Sequence, residues 1–159
     1  MIEQLYAKGH RVIGIIGDRP ETSRPSQQRL DGCLDALQRL GVPFDFDRQY
    51  RLADFSMQGG YAAAEHLLAH CPDLDAVFAM SDLMALGAVR AFQDHGLRVP
   101  EDISVAGFDG LPYGQYFIPR LTTVAQSAQA LADGLRQSAE RLMAPYAVSG
   151  TFCFKGVRG

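Results

Sequence analysis

Two carboxylates and a guanidinium fall where apolar runs stop. The run Leu74–Met80 ends in Ser81-Asp82, and the run Ile103–Gly107 ends in Phe108-Asp109. The run Arg11–Ile16 leads into a loop and a helical stripe carrying Arg29. An ionised Asp accepts two hydrogen bonds from neighbouring hydroxyls, and Arg donates in a planar fork. Phe55, just ahead of another helical stripe, offers a flat apolar wall. Polar groups that converge on an apolar surface are what a polyhydroxylated small molecule requires. Each residue also has a plainer role. Ser81 suits a helix N-cap, Asp82 the first helical turn, and Asp109 the cap of the loop after its strand. The spacing leaves both roles open.

Catalysis is the weaker alternative. Asp82 and Asp109 could act as acid and base, or hold Mg²⁺, in a small α/β enzyme. There is, however, no Gly-x-Ser-x-Gly elbow, no Walker loop and no Gly-x-Gly-x-x-Gly. Gly59-Gly60 lies inside a helical pattern and not ahead of one, which disfavours a phosphate cradle. His66 and His70 form an i, i+4 pair without the Glu of a metalloprotease helix, so a solvated helix face is expected and no metal or cofactor.

These residues need a scaffold that brings strand ends together. Helical stripes over Gln27–Leu40, Ser56–His70, Asp82–His95 and Ala125–Met143 alternate with apolar runs at Arg11–Ile16, Arg48–Leu52, Leu74–Met80 and Ile103–Gly107. Leu121–Val124 reads as a short extended piece and Gly150–Phe154 as a final strand. Alternation of this kind predicts an α/β fold, a parallel sheet flanked by helices on both faces. Sites in such sheets lie beyond the carboxyl ends of the strands. The stretch Leu83–Phe92 is apolar over most of its circumference and fits either a core helix or a partner contact.

Composition narrows the class. The chain has 159 residues, 47% of them hydrophobic, which suits one globular domain and excludes a disordered chain. Fifteen Lys+Arg against 18 Asp+Glu give a net charge of −3, a poor balance for gripping nucleic acid. Cys33, Cys71 and Cys153 are odd in number and widely spaced, so they read as buried free thiols of a reducing compartment. No stretch is long and apolar enough for a membrane span, and Met1–Gly9 lacks the apolar core of a secretory signal.

The run Met80-Ser-Asp-Leu-Met-Ala-Leu-Gly-Ala-Val-Arg, then Gly96-Leu-Arg-Val-Pro-Glu-Asp-Ile-Ser-Val-Ala-Gly-Phe-Asp109, then Pro119-Arg-Leu-Thr-Thr-Val-Ala-Gln126, closely resembles the effector-binding part of LacI/GalR-family transcription regulators. Gly9-His-Arg-Val-Ile-Gly-Ile-Ile-Gly17 and Arg29-Leu-Asp-Gly32 resemble it as well. The resemblance implies a periplasmic-binding-protein-like (type I) fold of two lobes around a cleft, here truncated. It places residues 18–118 in the second lobe, 1–17 and 123–147 in the first, and 148–159 in a return strand. It implies a cytoplasmic, homodimeric repressor whose DNA affinity shifts when a small effector, a sugar or nucleobase, binds. DNA would be read through an N-terminal head that this chain lacks. Arg29, Phe55, Ser81, Asp82 and Asp109 are the implied ligand-binding residues, and Leu86 and Phe117 the implied dimer contacts. Ser81 stands where many members have Asn, and Gly110 where a second Asp or Asn is common, which implies altered specificity. A solute-binding protein serving sugar transport is the alternative within the same fold.

Overall fold

A computed structural model describes residues 1–19 and 23–125. The helices are α1 (Ile2–Ala7), α2 (Arg24–Arg39), α3 (Phe46–Gln49), α4 (Met57–His70) and α5 (Asp82–Asp94). The strands are β1 (Ile13–Gly17), β2 (Tyr50–Leu52), β3 (Ala76–Ala79), β4 (Ser104–Asp109) and β5 (Thr122–Ala125). A 3-10 turn, Pro112–Tyr116, occupies the loop before β5. All five strands form one sheet in the order β2-β1-β3-β4-β5, and every neighbouring pair is parallel. The α/β parallel sheet read from the sequence is therefore present.

Side-chain oxygens start the three long helices. Ser23 accepts from the Ser26 amide at 3.2 Å, Ser56 from Gly59 at 2.9 Å and Ser81 from Met84 at 3.2 Å. Each satisfies an amide that has no partner inside its own helix. The Ser23 cap, with Pro25 in the first turn, explains why α2 starts at Arg24, ahead of the apolar stripe. β1 and β3 are buried at every position, as strands covered on both faces must be.

Connection handedness distributes the helices. β1 leads through α2 to β2 in one direction along the sheet, while β2–α4–β3 and β3–α5–β4 run in the other. Right-handed crossovers then put α2 on one face and α4 and α5 together on the opposite face. Contact between α4 and α5 is close enough to demand glycine. A Cβ on Gly60 would stand 2.1 Å from the Met84 carbonyl oxygen, and one on Gly87 2.0 Å from that of Met57. This contact, together with the packing of α5 on β3 and β4, accounts for the apolar character of α5: Met84, Ala85, Ala88, Ala91 and Phe92 are all core.

The pairing corrects two expectations. The strand at Arg11–Ile16, assigned to a first lobe with residues 1–17, hydrogen-bonds to β2 on one side and β3 on the other, so it lies inside the same sheet. Residues Thr123–Ala125, also assigned to a first lobe, belong to β5 and pair with β4. Apolar strands between helices look alike in sequence, and only hydrogen-bond partners reveal which sheet they join. The expected helix Ala125–Met143, the strand Gly150–Phe154 and Cys153 lie outside the described residues apart from Ala125. Among the described residues no helix is long and apolar enough to cross a membrane.

Candidate functional site

The strand order reverses between β1 and β3, because β1 connects onward to β2 on one side and β3 to β4 on the other. Such a reversal opens a crevice at the carboxyl ends of the two strands. Arg29 sits there. It extends from α2, after β1, and its Nη1 donates to the Met80 carbonyl just past β3 at 2.9 Å. Its guanidinium carbon lies 4.2 Å from the centre of the Phe108 ring, a cation–π stack. Its Nη2 stands 3.9 Å from Oδ1 of Asp109. At that separation the pair is a charge contact and not a closed hydrogen bond. Both side chains are half-buried.

Asp109 holds an unusual backbone conformation, with φ +124°, and is the one non-glycine residue with positive φ among the described residues. A non-glycine residue held in such a sparsely populated region costs on the order of 1–3 kcal/mol, so its surroundings must enforce it. The next two amides are both tied down. The Gly110 N–H donates to Oγ1 of Thr123 at 3.2 Å, and the Leu111 N–H donates to Oδ2 of Asp82 at 2.6 Å. Thr123 Oγ1 in turn donates to Oδ1 of Asp82.

Asp82 is thus a brace beneath the loop. It is 0% exposed, and both carboxylate oxygens accept from donors of this chain. Burial raises its carboxyl above the ordinary range, while the contacts from Thr123, Leu111 and Gly110 pull the other way. Gly107 makes room for it, since a Cβ there would lie 2.3 Å from Asp82 Oδ1. The two carboxylates at adjacent strand ends therefore differ in access: Asp109 stays partly exposed beside Arg29, and Asp82 is fully covered.

The other sequence-derived candidates scatter. Ser81 is buried and caps α5. Phe55 is 43% exposed, in the loop between β2 and α4. It lies at the same end of the sheet, but β1 separates its strand from β3. Leu86, expected at a dimer contact, is only 3% exposed, so its own chain covers it. Phe117 is exposed beside Tyr113, Tyr116 and Ile118. His66 accepts from Arg51 Nε at 2.6 Å and stacks on His70 with ring centroids 3.9 Å apart. Among the described residues no group of His, Cys, Asp or Glu is arranged to hold a metal ion.

Sequence reasoning passed over Phe108, the Met80 carbonyl and Thr123. Phe108 had a signal, as an aromatic directly preceding a strand-end carboxylate. Thr123 had a weaker one, a hydroxyl in a short extended run. The carbonyl had none, because every residue carries one.

Residues 2–148 match the periplasmic binding protein-like domain family. A probable HTH-type transcriptional repressor, ExuR of Bacillus subtilis (strain 168), is 39% identical over 131 residues, which cover 82% of this chain and 39% of the repressor. A solved complex of the transcriptional regulator CelR with cellobiose superposes with a TM-score of 0.75 at 35% identity, covering 89% of this chain and 44% of that one. The lac repressor dimer bound to operator and the anti-inducer ONPF superposes with a TM-score of 0.76 at 33% identity, covering 87% and 49%. The chain spans less than half the length of each of these relatives.

Proposed function

Because this chain belongs to the periplasmic binding protein-like domain family, and corresponds to the effector-binding region of LacI-type regulators, we propose that it senses a small polyhydroxylated effector for a transcription repressor. The observation that carries this is the Arg29–Asp109 charge pair at the strand-order reversal, 3.9 Å apart and backed by Phe108. A ligand hydroxyl entering there accepts from the guanidinium and donates to the carboxylate. A neutral sugar, which has both roles on every hydroxyl, suits such a pair better than an anion, which Asp109 repels.

The complete protein would be a cytoplasmic homodimer, reading DNA through a segment beyond this chain. The net charge of −3 supports a division of labour in which this part does not grip DNA. The effector would bind one arrangement of the regulator better than the other, and DNA affinity would shift by that difference. The relatives' own ligands and partners support this reading: a cellobiose complex in one, and a dimer on operator in another.

The test is calorimetric titration of the complete protein, after a thermal-shift screen with D-glucose, D-galactose, cellobiose, D-galacturonate and adenosine. One of these should bind, and Arg29→Ala and Asp109→Ala should each weaken it more than about tenfold, since hydrogen bonds to charged groups contribute roughly 1.5–3 kcal/mol. Absence of binding across the panel, or unchanged affinity in both variants, overturns the proposal.

A further inference from the structure

We infer that Asp82 and Thr123 form a clasp that positions Asp109 for the effector and ties that position to β5. This rests on the proposed effector site and deepens it. The clasp joins three elements that are distant in sequence. Asp82 begins α5, the amides of Gly110 and Leu111 follow β4, and Thr123 belongs to β5. The described contacts close a loop: Gly110 N–H to Thr123 Oγ1, Thr123 O–H to Asp82 Oδ1, and Leu111 N–H to Asp82 Oδ2. Asp109 is the residue immediately before the two clasped amides, and its backbone is the strained one. With Gly110 and Leu111 held, the carboxylate of Asp109 stays on the Arg29 side. If they are released, Asp109 relaxes to negative φ and its carboxylate swings away.

The packing also makes the clasp responsive to β5. Gly110 lies so close to Ala125 that a Cβ on it would stand 2.6 Å from the Ala125 Cα. Asp109 pairs with Ala125 in register. A displacement of β5 therefore moves Thr123 Oγ1 and Ala125 together, and both bear on the loop that carries Asp109. Asp82 and Thr123 are positioning residues: the oxygens that form the clasp accept from or donate to this chain, and they act on the effector through Asp109.

The experiment uses the complete protein with Thr123→Val, which removes the hydroxyl and keeps the shape, Thr123→Ser, which restores it, and Asp82→Asn as a second disruption in case Thr123→Val does not fold. Hydrogen exchange is followed in the peptide spanning Phe108–Tyr116, with a β1 peptide as internal reference. Exchange should accelerate in Thr123→Val and Asp82→Asn, remain as in the parent for Thr123→Ser, and be unchanged in β1. Affinity is then measured for whichever of the five panel compounds gives the largest thermal shift. Thr123→Val should weaken it by about tenfold, which corresponds to roughly 1.4 kcal/mol. In an Asp109→Ala background the same change should have almost no effect, because there is no carboxylate left to position. A loss that adds fully to that of Asp109→Ala, or exchange unaltered in the Phe108–Tyr116 peptide, overturns the clasp. If no panel compound binds, the effector proposal fails on its own account, and hydrogen exchange alone decides whether the clasp holds the loop.

Discussion

Arg29 donates to the Met80 carbonyl at 2.9 Å, joining residues 51 positions apart across the boundary between β1 and β3. The same guanidinium stacks on Phe108 and faces Asp109. One side chain thus connects the helix after β1, the end of β3 and the end of β4. A planar, delocalised cation can serve these three neighbours at once, and an ammonium cannot.

Arg29→Lys should therefore behave more like Arg29→Met than like the parent. Loss of the charged hydrogen bond and the stack should lower unfolding free energy by about 1–3 kcal/mol in both variants. Urea melts read this directly. Parental stability in Arg29→Lys would show that charge alone matters and that the planar contact does not.

The close approach of α4 and α5 makes a steric prediction. Gly87→Ala and Gly60→Ala each place a methyl into a backbone carbonyl of the neighbouring helix. Overpacking of that kind costs about 1–3 kcal/mol. Gly32, exposed on α2 with nothing near a new Cβ, is the control, and Gly32→Ala should stabilise by about 0.5–1 kcal/mol through helix propensity. A set of melts in which all three changes had the same sign would contradict the packing described for α4 and α5.

Arg98 and Asp102 predict an acid limb. Two guanidinium nitrogens and the Arg98 amide contact the Asp102 carboxylate at 2.6–2.8 Å, and these bonds hold its pKa down to about 2. A carboxyl depressed in the folded state stabilises above its unfolded value and loses that contribution as pH falls toward the folded value. Stability should then decline between about pH 4 and pH 2, and Asp102→Asn should flatten that decline. Asp82 has the opposite sign. Burial raises its carboxyl, so its ionisation opposes folding as pH climbs through the raised value. Equilibrium unfolding of parent and Asp102→Asn between about pH 4 and pH 2 checks the first, and of parent and Asp82→Asn from about pH 4 upward the second.

Cys33 predicts chemical silence. It is buried on α2, and desolvation pushes its thiol up to about 12. The thiolate is the reactive form, so alkylation of Cys33 near pH 8 should be negligible in the native protein and prompt in denaturant. Mapping of iodoacetamide adducts by mass spectrometry reads each cysteine separately. Rapid native modification of Cys33 would show that α2 opens.

The layers of the fold were legible because local chemistry writes them. Strands β1 and β3 announced themselves as short β-branched or apolar runs, and α2 as the stripe Leu30, Cys33, Leu37. α3 and the 3-10 turn were not legible. α3 has only four residues, too few to show a period, and the turn lies in a loop rich in Gly, Pro and Tyr. β4 runs two residues past Gly107 because Phe108 and Asp109 find partners in β5, which nothing local to them records.

The sequence by itself determined the α/β class, the helix starts at Ser56 and Ser81, the helical position of Arg29 and the strand-end position of Asp109, since periodicity and capping depend on neighbours a few residues away. It also supplied a family resemblance that the comparisons bear out. Tertiary structure alone decided that β1 lies between β2 and β3, that Leu86 is covered, and that Asp109 faces Arg29 while Asp82 lies beneath it. Two aspartates that each follow an apolar run look equivalent along the chain. They part company only when one, at a turn with positive φ, stands 3.9 Å from Arg29, while the Leu111 amide of that turn and a threonine hydroxyl claim the oxygens of the other.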